Sequence, residues 1–196
     1  MVAFDNTILS ILLFRDAEVH EGPEPKPVER ARDRVNALVQ EIADAGEQVL
    51  VPSPALAEVL ATPDCNMDEV LSTLRGSAYI QIGDFDQRAA VELAVRLRAA
   101  FSAGDIREGL KTTKTKMKFD RQIVAIALTN AARVLYSDDD GVKKFGEGSG
   151  LKVKRTSELP IPAIQQDLFE GGKPTHPEQP ASPDAGKPAG PEQKSE

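Results

Sequence analysis

Five carboxylates stand at or near the ends of predicted elements: Asp5, Glu58, Asp120 and the adjacent pair Asp138 and Asp139. Asp5 closes a short apolar run, Met1–Phe4. Glu58 lies about one helical turn inside the helix that Pro54 opens. Asp120 begins a helix of apolar spacing, and Asp138 and Asp139 follow the apolar run Val134–Tyr136 and Ser137. Carboxylates held close repel one another unless a cation joins them. Hard divalent cations such as Mg²⁺ and Mn²⁺ take oxygen ligands and phosphate oxygens together. The chemistry this set suits is metal-assisted phosphodiester hydrolysis. Each acid alone has a plainer role. Asp5 can cap a helix, Glu58 can be a solvated helix residue, Asp120 can complement a helix dipole, and Asp138 to Asp140 can be a polar turn capping a short helix. Their gathering on one edge favours the chemical reading.

The elements that must position them alternate in type. Strand patterns fall at Met1–Phe4, Gln48–Val51, Tyr79–Ile82, Val134–Tyr136 and Leu151–Val153. Between them the apolar periodicity predicts helices over Thr7–Phe14, Val28–Ala45, from Pro54, from Asn66 or Met67 to Arg75, and over Asp86–Phe101 and Lys118–Asn130. A polar loop runs from His20 to Pro27. Strands alternating with helices imply parallel β-α units, so the expected fold is α/β: three layers, α/β/α, with a central, mostly parallel sheet of four or five strands. Sites in such sheets form beyond the carboxyl ends of the strands, where the strand order reverses.

Composition bounds the rest. The 196 residues fit one domain, expected over 1–158, with 40% apolar residues for its core. Residues 159–196 read as a short docking segment, Ile161–Phe169, and a disordered Pro- and Gly-rich tail. Net charge is −7, which argues against binding nucleic acid through bulk positive charge. One strip departs from this: Lys111, Lys114, Lys116, Lys118 and Arg121 crowd around Asp120, among Thr112, Thr113 and Thr115. The strip is either a solvated loop or a set of phosphate contacts beside the acids. Cys65 has no partner for an intramolecular disulfide, and no basic leader or membrane-length apolar run is present, so the expected location is the cytoplasm, away from membranes.

The ordered set of four acids resembles the PIN domain, a nuclease fold found in many bacterial toxin–antitoxin toxins and in RNA-processing factors. The likeness spans roughly residues 1–157. It is carried by Phe4-Asp5-Asn6-Thr7, Ala57-Glu58-Val59-Leu60, Phe119-Asp120-Arg121-Gln122-Ile123, and Leu135-Tyr136-Ser137-Asp138-Asp139. The resemblance implies that Asp5, Glu58, Asp120 and Asp139, with Asp138 as an alternative fourth ligand, hold one or two Mg²⁺ or Mn²⁺ ions and cleave RNA. It implies an antitoxin or other protein partner and a homodimer. Asn6 and Ser137, with Lys114, Lys116, Lys118 and Arg121, would meet the substrate.

Other chemistries fit less well. His20 and His176 lack metal-ligand spacing to another His or Cys, which disfavours zinc. The serines lack a nucleophile-elbow setting. No dinucleotide or P-loop glycine motif is present. A haloacid-dehalogenase-type phosphatase needs a second Asp two residues after the first, where this chain has Thr7. A non-catalytic PIN-like module that binds RNA or protein is the competing reading, motivated by the order Asn6-Thr7 and the long tail.

Overall fold

The computed structural model describes residues 1–21, 26–63, 65–102 and 114–163. In chain order its elements begin with β1 (Val2–Phe4), α1 (Asn6–Leu13), β2 (His20–Glu21), β3 (Lys26–Pro27) and α2 (Ala31–Asp44). Next come β4 (Val49–Pro52), α3 (Ser53–Leu60), α4 (Met67–Gly76), β5 (Ile80–Gly83) and α5 (Gln87–Ser102). The last are α6 (Lys114–Thr129), β6 (Val134–Tyr136), α7 (Asp140–Gly148), β7 (Lys152–Lys154) and a single 3-10 turn, Thr156–Glu158. Met1–Pro162 forms a compact unit. The tail from Gly171 and most of the segment Ile161–Phe169 lie outside the described residues.

Five strands make one sheet, in the order β5-β4-β1-β6-β7, and every pairing is parallel. The sheet is therefore the expected one, at the upper of the two strand counts. Every residue of β1, β4 and β6 is buried, as strands covered on both faces must be. Side chains alternate between the two faces. Val2, Phe4, Val49, Val51, Val134 and Tyr136 join one apolar layer with Ile8, Ile11, Val35, Leu38, Val59 and Leu74. Ala3, Leu50 and Leu135 join the other with Ala89, Ile123, Val124, Val142 and Phe145. Helices α1, α2 and α4 thus cover one face and α5 to α7 the other. Small residues pull the second layer close: Ala55, Ala89, Ala125 and Ala127 are all fully buried.

Three local outcomes differ from the sequence reading. The loop from His20 carries a two-residue antiparallel pair, with His20 opposite Pro27. Val28 N–H donates to Val19 carbonyl at 2.9 Å, extending that ladder. This spends the first residues that the apolar pattern had assigned to α2, so the helix starts at Ala31 after Arg30 in the left-handed region (φ 52°). Helix α6 begins four residues earlier than Lys118. The added turn sets Lys116 on the face of Asp120 and Ile123, which lie four and seven residues further along the helix. Among the described residues, no helix is long and apolar enough to cross a membrane.

The strand order runs outward on both sides of β1, so the reversal lies at the centre of the sheet. Loops leaving β1, β4 and β6 open beside one another there. At the opposite edge an acid is well supplied with cations. The Met1 ammonium lies 2.8 Å from Glu47, and Arg133 holds both Glu47 oxygens, at 2.7 and 2.5 Å. These bonds pull the Glu47 carboxyl down to about 2.

Candidate functional site

Asp5 leaves β1 as the N-cap of α1, its Oδ1 accepting from Asn6 N–H at 2.7 Å. Its Oδ2 accepts from the Ser137 hydroxyl at 2.5 Å, and that hydroxyl accepts in turn from Asp139 N–H at 3.1 Å. Ser137 is fully buried. It serves as a clamp between the ends of β1 and β6 and does not open onto the cavity. Asn6 donates through Nδ2 to Glu58 Oε2 at 2.5 Å, so the first turn of α1 orients the acid delivered by α3.

Asp139 caps α7. Its Oδ1 accepts from Gly141 and Val142 N–H groups at 2.6 and 3.1 Å, leaving Oδ2 for the Lys116 ammonium at 2.5 Å. Asp138 is turned differently: its two oxygens accept from the backbone and hydroxyl of Thr156, at 2.9 and 2.5 Å. Asp120 projects from α6 beside Asp139. A methyl group at Gly141 would press on Asp120 Oδ2 and Asp139 Oδ1 together.

Asp5, Asn6, Thr7, Glu58, Lys116, Asp120, Asp138 and Asp139 all line one cavity of about 610 Å³. Five acids from four chain segments are thereby brought to one space. Burial pushes the Asp5 carboxyl up to about 7 against the pull of Ser137 and Asn6, with the charges of Glu58 and Asp139 adding to the rise. Burial, and then the charge of Asp139, raises Asp120 to about 7 while Lys116 opposes it. Glu58 is raised as well, chiefly by burial, with Lys116 pulling it down. Lys116 is raised, first by its bond to Asp139. On this edge Asp139 meets one ammonium, where Glu47 meets two cations on the other. Such displaced carboxylates in a cleft make it a candidate functional site.

By its chemistry the donor set suits a hard divalent ion. It is all oxygen, and Asp120 Oδ2 is buried with no hydrogen-bond partner, the condition a buried polar atom avoids unless something else meets it. Among the described residues no three acids are drawn tightly enough to grip an ion between them. They stand around the cavity, with the Lys116 ammonium supplying positive charge to Asp139, Asp120 and Glu58.

The basic strip is divided. Lys116 reaches the cavity. Lys118 is exposed and does not line it. Arg121 is buried, its guanidinium 5.3 Å from the centre of the Phe145 ring, so it joins α6 to α7 and does not face the cavity. Lys111, Thr112, Thr113 and His176, and the side chains of Lys114 and Thr115, lie outside the described residues. Glu18, Val19, His20, Phe119 and Ile123, to which the sequence assigned no site role, also line the cavity. The available signal for Phe119 was its place beside Asp120. Glu18 to His20 carried none, because the hairpin that brings them there was read as a loop.

No protein-family model matches the chain, and no curated protein matches it significantly. Solved structures do match. One is the crystal structure of VapBC2 from Rickettsia felis bound to a DNA fragment from their promoter. It shares 16% identity at a TM-score of 0.51, over 79% of this chain and 98% of that one. Another is the DNA-bound VapBC from Salmonella typhimurium, with 13% identity and a TM-score of 0.48, over 80% and 99%. At such identities the first likeness speaks for the fold. The chain is a three-layer α/β/α protein of PIN-like fold, with a carboxylate-lined cavity at the carboxyl edge of its sheet.

Proposed function

We propose that the chain is a Mg²⁺- or Mn²⁺-dependent endoribonuclease, the toxin of a toxin–antitoxin pair, with Asp5, Glu58, Asp120 and Asp139 as its metal-holding acids. The observation that carries this is the unpartnered, buried Asp120 Oδ2 in a cavity shared by Asp5, Glu58 and Asp139. The pairing with an antitoxin is supported by the PIN-like motifs and by fold likeness to VapBC2, a complex solved on promoter DNA.

A bound Mg²⁺ or Mn²⁺ supplies Lewis acidity toward a phosphoryl oxygen and lowers the pKa of water. The chain supplies the rest. Ser137 fixes the rotamer of Asp5, and Asn6 fixes Glu58. Asp138 gives both oxygens to Thr156, whereas Asp139 turns Oδ2 to the Lys116 ammonium, which favours Asp139 as the fourth ligand. Lys116 gives a positive charge at the mouth of an otherwise acidic cavity, where it attracts a phosphate. With Asp5 and Asp120 raised to about 7, binding a cation would displace the protons they share near neutral pH.

The test is cleavage of an end-labelled RNA by the purified chain with Mn²⁺ and with EDTA. Cleavage is expected with Mn²⁺ alone, and loss of at least about 100-fold in Asp5→Asn and Asp120→Asn, the scale of misplacing a catalytic group. Undiminished cleavage in both variants defeats the assignment. The loose spacing of the acids favours a second reading, a non-catalytic PIN-like module. For that module Mn²⁺ leaves the melting temperature unchanged, because no ion prefers the native state.

A further inference from the structure

We infer that Phe119 is a stacking platform for an unpaired nucleobase of the strand held beside the acids. The inference rests on the nuclease reading above and deepens it, naming what the substrate presents to this chain.

The cavity has two kinds of wall. One is oxygen-rich and holds the acids. The other is apolar: Val19, Phe119 and Ile123. Val19 and Ile123 are buried, at 4% and 1% exposure, whereas Phe119 is 37% exposed. A metal ion and a phosphate group use no apolar surface, so this wall has no part in the chemistry of the acids. Leaving a phenyl ring in water forgoes the gain of burying it. Single exposed apolar residues are ordinary on a protein surface, and five others occur among the described residues: Met67, Tyr79, Val91, Val95 and Ile161. None of those five lines the cavity. Phe119 does, next in sequence to Asp120, and it shares the cavity with a second flat ring, His20.

The mount is firm. Phe119 sits on α6, whose next turn, Ile123 to Ala127, is buried almost completely. Backbone motion there is opposed by both neighbouring helices and the sheet. A base has a flat apolar face of the size this ring offers, and its phosphate lies one sugar away. A strand stacked on Phe119 therefore brings a phosphodiester toward the acids. In a duplex both faces of each base are already covered by stacking, whereas unpaired bases splay onto aromatic side chains.

The chain has no tryptophan, so Phe119→Trp introduces a sole indole at the point of interest. The full chain carrying Phe119→Trp with Asp5→Asn, in Mn²⁺, is titrated with three probes. These are a mixed-sequence single-stranded RNA, the same length of backbone with abasic residues throughout, and the duplex. The base-bearing strand is expected to quench the indole, and the abasic strand and duplex to leave it unchanged. In parallel, Phe119→Ala and Phe119→Leu weaken binding of the base-bearing strand about 10-fold without altering the abasic strand, while Phe119→Tyr retains binding. The leucine variant keeps apolar bulk, so its loss isolates the ring. Equal binding of base-bearing and abasic strands without quenching overturns the inference, as does parental affinity in Phe119→Leu. The nuclease reading fails differently. A parent chain that does not cleave with Mn²⁺, but whose Phe119→Trp variant is still quenched by the base-bearing strand, leaves the platform standing. Binding of no strand at all removes both.

Discussion

The Lys116 ammonium lies 2.5 Å from Asp139 Oδ2, joining the first turn of α6 to the cap of α7 across the mouth of the acidic cavity. Its charge also acts on Asp120 and Glu58. One lysine thus balances part of the field of three acids. Any divalent cation entering the cavity meets that ammonium as a competitor, because both are attracted by the same oxygens.

Removing the competitor has a measurable consequence. In Lys116→Met the Mn²⁺ concentration giving half of the full thermal stabilisation is expected to fall about 10-fold, the scale of roughly 1.4 kcal/mol. The metal-free variant is expected to melt lower than its parent, because three acids lose their shared counter-charge. The readout is melting temperature against Mn²⁺, without RNA. A midpoint equal to the parent's, or higher, counts against competition.

The raised acids set the sign of a pH dependence. Asp5 and Asp120, at about 7 in the folded chain, bind protons more tightly than their ordinary value of 3.8 allows when unfolded. Their contribution to stability is complete below that ordinary value and is lost as pH rises through the folded value. In EDTA the melting temperature is therefore expected to drop between pH 5 and pH 8 by at least about 3 °C, the effect of roughly 1 kcal/mol in a chain of this length. Glu47 works in the opposite sense, but its transition lies below this window. Mn²⁺ should flatten the slope by replacing the protons, and Asp5→Asn should reduce it. A melting temperature that rises over the same range in EDTA contradicts the burial argument for these two acids.

Most of the sheet and the acids were legible in the sequence because each left a local trace. Val2, Phe4, Val49, Val51, Val134 and Tyr136 alternate with residues of the other face, Asp5, Asp120 and Asp139 each follow or open an element in the pattern, and Glu58 lies about one turn into the helix that Pro54 opens. What stayed hidden depended on long-range pairing. The hairpin at His20 is only two residues per strand, too short for periodicity to register, yet it carries His20 and Val19 to the cavity. Arg121 reads as part of a basic strip, but its position one residue past Asp120 rotates it toward Phe145 on α7. Asn6 lines the cavity and also holds Glu58, and Ser137 holds Asp5; only the fold brings these partners within bonding distance. Lys116 entered the site because α6 gained a turn at its start.

Adjacent Asp138 and Asp139 are predicted to separate cleanly. Asp138 ties the end of β6 to Thr156 after β7. Asp138→Ala is expected to lower the melting temperature, since it strips two partners from Thr156, itself fully buried. Its Mn²⁺ stabilisation should survive. Asp139→Asn keeps an oxygen to cap α7, so its melting temperature in EDTA should change little, while Mn²⁺ stabilisation is lost. Reversal of the two Mn²⁺ responses would assign the ligand role to Asp138.

Gly141 offers a test that leaves every acid in place. It is the second residue of α7, where alanine would ordinarily favour the helix by up to about 1 kcal/mol. Here a methyl group would collide with Asp120 Oδ2 and crowd Asp139 Oδ1. Asp120 must swing away, and a displacement near 1 Å is enough to cost about 100-fold in rate. Gly141→Ala is therefore expected to melt within about 3 °C of its parent in EDTA, to lose most of its Mn²⁺ stabilisation, and to cleave RNA poorly. The control lies on the same helix. A methyl group at Gly146 would meet Val153 in the apolar layer, away from the acids. Gly146→Ala is expected to lower the melting temperature through overpacking and to keep its Mn²⁺ response. If Gly141→Ala responds to Mn²⁺ as the parent does, Asp120 Oδ2 is not a ligand, and the unpartnered oxygen must be explained by the proton that its raised pKa allows it to carry.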